Sequence, residues 1–112
     1  MTDRAYLREF EQLVLLSVLR LGDEAHGNEI RRDLEQTAGR SVAVATIYVA
    51  LSRMERRGFV RSWMSDPTPV RGGKSKKHYA LELEGKDALR EAKATLERMW
   101  QGVGTALDPS PT

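Results

Sequence analysis

Four cations crowd one glycine-centred turn of this chain. Arg71, Lys74, Lys76 and Lys77 lie around Gly72-Gly73 in the run Arg71-Gly72-Gly73-Lys74-Ser75-Lys76-Lys77-His78-Tyr79. The glycine pair lets the backbone turn tightly. Cations carried on such a turn can neutralise phosphates. Apolar residues flank it on both sides: Phe59, Val60 and Trp63 before, Tyr79, Ala80, Leu81 and Leu83 after. That pattern predicts a two-stranded hairpin with a basic tip. Just upstream lies a helical segment carrying Thr46, Tyr48 and Val49, small and polar near its start, with Arg53 and Arg56 toward its end. A helix followed by such a hairpin can read base edges with the one and hold the DNA backbone with the other.

The charge distribution agrees. The chain is only +2 overall. Residues 53–77 hold eight cations against two acids, a net of +6, while the rest holds ten against fourteen, a net of −4. A basic segment inside an acidic remainder suggests a surface built for a polyanion. A solvated charged hairpin is the plainer alternative.

Other chemistries find little support. There is no cysteine among the 112 residues, which excludes disulfides and thiolate sites and suits a reducing cytoplasm. His26 and His78 are far apart in sequence and show no metal-ligand spacing, so no metal or other cofactor is expected. No nucleophile–base arrangement or phosphate-binding glycine loop of the right form is present, so no enzyme activity is expected. No apolar run approaches the ~20 residues of a membrane span, and Met1-Thr2-Asp3-Arg4-Ala5 does not read as a signal peptide. A cytoplasmic protein with no membrane partner is expected.

One domain must position these groups. A first helix is predicted over 6–21, apolar on most of its circumference, with Gly22 as its stop signal. Such a helix must be covered on more than one side. A second runs from about Asn28 to Ala38 on an Ile30–Leu34 seam; its acids Glu29, Asp33 and Glu35 would repel phosphate, which makes it a support. A third spans roughly Val44 to Arg57, with Val44, Ile47, Leu51 and Met54 facing inward. Strands follow over Phe59–Ser65 and Lys77–Leu83, separated by Asp66-Pro67-Thr68-Pro69, whose prolines cannot continue a ladder. The last helix runs from about Gly85 to Gly102. Its Leu89, Ala92, Leu96, Met99 and Val103 are spaced like a coiled-coil seam; it can pair with a second subunit or dock back on the domain. The fold class expected is mainly α with a small β-hairpin (α+β). Residues 1–83 form the winged helix-turn-helix, 84–104 a C-terminal dimerisation helix and 105–112 a disordered tail.

Three segments carry a more specific likeness. Phe10-Glu11-Gln12-Leu13-Val14-Leu15-Leu16 leads to Leu21-Gly22-Asp23-Glu24-Ala25-His26-Gly27-Asn28-Glu29-Ile30. Residues 45–60 follow, including Ile47-Tyr48-Val49-Ala50-Leu51, and then residues 66–79. In this order they resemble the PadR family of bacterial transcriptional regulators, in particular short members with one C-terminal helix. The likeness covers roughly residues 7–103. It implies a homodimer that binds an inverted repeat in double-stranded DNA, usually as a repressor. The third helix would enter the major groove and the wing would follow the backbone or minor groove. Tyr48 would place its hydroxyl near a phosphate. Thr46, Tyr48, Val49, Arg53, Arg71, Lys74, Lys76 and Lys77 are then the candidate DNA contacts. Phe10, Leu13, Leu89, Leu96, Met99 and Trp100 are the candidate dimer interface. In some short members a tryptophan on the last helix stacks on flat aromatic ligands, often cationic; Trp100, with Leu96 and Met99, is the candidate here, and packing of Trp100 in the dimer seam is the alternative. Two positions depart from the family pattern. Ala43 stands where a serine or threonine usually caps the third helix, leaving Ser41 or a phosphate oxygen to substitute, and Leu83-Glu84-Gly85 marks the last helix start less clearly. A winged-helix protein–protein module without sequence-specific DNA binding is the other reading.

Overall fold

The computed structural model describes residues 6–65 and 76–109. Four helices and one antiparallel hairpin follow in the order α1 (Glu9–Leu21), α2 (Gly27–Ala38), α3 (Val44–Arg56), β1 (Val60–Met64), β2 (Lys77–Leu81) and α4 (Leu83–Trp100), with a short 3₁₀ turn at Gly22–Glu24. This is the α+β winged-helix arrangement expected.

The first helix is the hub. Val14, Leu15 and Val18 are buried along it, and α2, α3, α4 and β2 all pack on it. Its start is fixed by Glu11, whose Oε1 accepts the Arg8 N–H at 2.9 Å, half of a capping box. That lock places the first helical residue at Glu9 rather than at 6, with Leu7 buried ahead of it. Leu16 and Leu19 stay exposed on its remaining side. A polar tie joins α1 to α2: Ser17 Oγ donates to Asp33 Oδ2 at 2.8 Å, Arg20 Nε lies 3.2 Å from the same oxygen, and Thr37 Oγ1 donates to Asp33 Oδ1 at 3.0 Å. Burial alone would raise the Asp33 carboxyl; the Arg20, Ser17 and Thr37 hydrogen bonds outweigh it and hold it below its ordinary value.

Ile30 and Leu34 are buried on α2 as expected, and Gly39 ends that helix in the left-handed region at φ 67°. On α3 the inward face is Ile47, Ala50, Leu51 and Met54; Val44, at the first turn, is half-buried. Truncating a fully buried member such as Leu51 would cost about 2–5 kcal/mol.

The hairpin registers Val60 against Leu81 and Met64 against Lys77. Both strands are shorter than predicted. Among the described hairpin residues, Val60, Tyr79 and Leu81 at its base are buried in the core, whereas Trp63 and Met64 are exposed. The Phe59 carbonyl accepts the Glu82 N–H at 2.9 Å, which turns the chain out of the strand. Leu83 therefore opens α4 instead of closing β2, and Gly85 lies inside the helix instead of marking its start. A Cβ on Gly85 would run into the Phe59 carbonyl oxygen, so the glycine lets α4 pass the hairpin base. Gly85 and Ala88 are buried there, while Leu96, Met99, Trp100 and Val103 farther along are exposed. Residues 101–108 continue as successive turns, with Val103 N–H donating to Trp100 O at 3.1 Å and Ala106 N–H to Val103 O at 3.0 Å.

Candidate nucleic-acid interface

Thr46, Val49 and Arg53 fall at i, i+3 and i+7 of α3, on one side of the helix. All three are exposed, and Val49 retains 58% of its surface. A valine so bare has no packing reason to be there. Ala43 occupies the N-cap and supplies no side-chain hydrogen bond, so the first N–H groups of α3 are left to solvent or to an anion.

Beside this face is a notch of about 300 Å³, lined by His26, Gly27, Asn28, Glu29, Arg32, Tyr48, Lys76 and Lys77. Three elements converge on it: the start of α2, the outer side of α3 and the start of β2. The α2 N-cap is His26, also without a side-chain cap, so a second set of helix-terminal donors opens here. Tyr48 is not buried; it keeps 39% of its surface. Its ring lies directly against Gly27, where a Cβ would come 2.9 Å from Tyr48 Cε1 and closer still to the hydroxyl. Each acid of α2 has a partner. Glu29 is 2.8 Å from Arg32 Nη1, Asp33 is turned toward α1, and Glu35 lies 3.7 Å from Arg31.

The wing base holds contacts that sequence reading missed. Tyr79 N–H donates to Ala25 O at 3.1 Å, tying β2 to the turn before α2. The Tyr79 side chain is buried, and burial first, then the neighbouring Tyr48 and Glu55, pushes its hydroxyl up to about 12. His26 and His78, taken as separate imidazoles, meet edge to face with centroids 4.2 Å apart. Trp63 stacks on His78 at 5.4 Å and 9°. Nothing local to either histidine announces this, because the register that pairs Trp63 with His78 is a property of the hairpin. Among the described residues, no group of three or more potential ligands could hold a metal.

Of the predicted wing cations, Lys76 and Lys77 are exposed at the hairpin, where the Ser65 N–H donates to Lys76 O at 2.9 Å and extends the ladder. Arg71 and Lys74 lie outside the described residues. The predicted pairing residues separate into two sets. Phe10, Leu13 and Leu89 are half-buried against the core of their own chain. Leu96, Met99 and Trp100 are exposed on the far half of α4. Leu96 lines an apolar groove of about 620 Å³ with Leu16, Leu19 and Leu89, edged by Lys86, Arg90 and Lys93; Met99 and Trp100 do not line it. No helix among the described residues is long and apolar enough to cross a membrane.

A family model described as the transcriptional regulator PadR-like family matches residues 15–91. Among solved structures, the chain is similar to a PadR family transcription regulator from Clostridium difficile, at 29% identity and a TM-score of 0.67, over 88% of this chain and 98% of that one. It is similar to a PadR family regulator from Eggerthella lenta at 28% identity and a TM-score of 0.65, over 91% and 88%. A PadR-like regulator from Bacillus cereus, at 20% identity, shares the fold with a TM-score of 0.71 over 90% and 93%. No curated protein sequence matches the chain.

Proposed function

The chain belongs to the PadR-like family of transcriptional regulators, and from that premise we propose that it is a homodimeric repressor binding an inverted-repeat operator. The family regulates transcription and is not a family of enzymes. In this reading the outer face of α3 enters the major groove, with Thr46 and Val49 at base edges and Arg53 toward the backbone. The wing holds the adjoining phosphates through Lys76 and Lys77, with Arg71 and Lys74 assigned the same role from sequence.

The observation that carries the reading is the notch. Uncapped donors at the start of α2, the Tyr48 side chain and two lysines surround a space of about 300 Å³. A helix N-terminus flanked by ammonium groups favours an oxyanion, and a backbone phosphate beside a groove-bound α3 is such a group. Gel shifts on the region upstream of the chain's own reading frame test it. If about four to six phosphates are neutralised per dimer, log affinity falls with log salt at a slope of roughly −4 to −5. Reversing Lys76 and Lys77 to glutamate weakens all duplexes alike, because phosphate contacts carry no base information. Unchanged binding at low salt would sink the wing assignment. No shift at all with the unaltered chain would favour a protein-binding module.

The exposed apolar residues of α1 and α4 support pairing of two copies. At the seam, Trp100 is assigned as the stacking surface for a planar aromatic effector that releases DNA. Titration with planar aromatic cations is expected to quench tryptophan fluorescence in the unaltered chain and much less in Trp100→Phe; a diverse panel without that difference rejects the effector role.

A further inference from the structure

Arginines from two elements meet at the end of α3 farthest from its uncapped start. Arg8 ahead of α1, and Arg53 and Arg57 at the close of α3, line one cleft of about 460 Å³ together with Tyr6 and Glu11. Among the described residues lining it, three guanidiniums face a single carboxylate. That carboxylate is committed: Glu11 accepts the Arg8 N–H at 2.9 Å and lies 3.6 Å from Arg57 Nη1. Arg57 is held in turn, donating to the Tyr6 carbonyl at 2.8 Å, with its guanidinium 4.6 Å from the Phe59 ring centroid. Among the described residues no carboxylate pairs with Arg8 or Arg53. The described lining therefore carries an excess of two positive charges on donors shaped for bidentate contact with an oxyanion.

Arg53 shares its helix face with Thr46 and Val49, so the cleft opens where that face ends. The 13 residues of α3 span about 20 Å at ~1.5 Å per residue. The major groove is about 12 Å wide, so a helix seated across it reaches sugar–phosphate backbone at both ends. We propose that Arg8 and Arg53, braced by Arg57 and Glu11, form a second clamp for a backbone phosphate of duplex DNA, across the groove from the wing. This rests on the DNA-binding reading above. It gives the residues just ahead of α1 a direct part in holding DNA.

Fluorescence anisotropy on a duplex bound by the unaltered chain, repeated across salt concentrations, tests the clamp. Arg8→Gln removes one phosphate contact per subunit. Matched and scrambled duplexes should weaken by the same factor, roughly tenfold, and the salt slope of a dimer should become shallower by about 2. Arg8→Lys should retain most of the slope. The melting temperature of each variant guards against misfolding. A second measurement keeps the native arginine: scanning the duplex with single methylphosphonates should find a position whose neutralisation weakens the unaltered chain but not Arg8→Gln. Equal slopes and affinities for the unaltered chain and Arg8→Gln, with fold intact, overturn the clamp while leaving DNA binding by α3 and the wing in place. Failure of the unaltered chain to bind any duplex removes both. Inorganic phosphate distinguishes the source: if it perturbs the Arg8 side-chain resonance while Arg8→Gln leaves duplex binding unchanged, the cleft takes free phosphate and the DNA clamp is wrong.

Discussion

Gly27 decides where Tyr48 can stand. The ring lies so close to the glycine that no Cβ fits without displacing it, and the same ring forms one wall of the notch. Gly27→Ala is expected to cost about 1–3 kcal/mol by overpacking and to weaken duplex binding. Denaturant unfolding checks the first effect. Adding Tyr48→Ala should relieve most of that cost without restoring affinity; additive losses would mean that the two residues do not share the space. At this scale the sequence was uneven. Tyr48, Lys76 and Lys77 were legible because exposure and charge can be read from pattern. The need for glycine at 27 was not, since it depends on a side chain 21 positions away. The His26–His78 contact was hidden for the same reason. Tyr79 was read only as a strand residue, although its N–H anchors the wing to Ala25.

Elements were more legible than contacts. Periodicity and glycine stop signals placed α1, α2 and α3 to within a few residues. The misreadings cluster at the wing–α4 joint, where Gly85 was taken for a helix start. Glycine there serves close approach to Phe59, and a single sequence cannot separate a breaker from a spacer. The seam of α4 divides along its length. Its first turns dock through the small residues Gly85 and Ala88, whereas Leu96 and Met99 face out, Leu96 beside Leu16 and Leu19 of α1. An apolar surface of this kind marks an interaction site. Leu96→Glu is expected to leave the single-chain core intact, because Leu96 retains 53% of its surface. On the homodimer proposed above, light scattering should then show the mass fall from twice the 12.6 kDa chain mass to one copy, with near-native helix content. A variant that still pairs would move the interface elsewhere.

The whole molecule is extended for its length. Its radius of gyration is 17.0 Å and its longest dimension 61 Å, against about 13 Å expected for the radius of a compact chain of this size. The difference reflects α4, which docks by its base and runs outward. The notch takes Lys76 and Lys77 from the +6 segment at 53–77, and the cleft takes Arg53 and Arg57 from it beside Arg8 ahead of α1. The joint at Phe59 then acquires a mechanical meaning. One carbonyl accepts the Glu82 N–H and abuts Gly85, so strand and helix meet without slack. An 18-residue helix extends about 27 Å at ~1.5 Å per residue. A rotation of roughly 10° at its root therefore sweeps the Trp100 end by about 5 Å. In the homodimer proposed above, two such arms would work as a caliper: a small displacement of the tips would reset the gap between the two α3 helices, which an inverted repeat with half-sites about 34–36 Å apart would have to match.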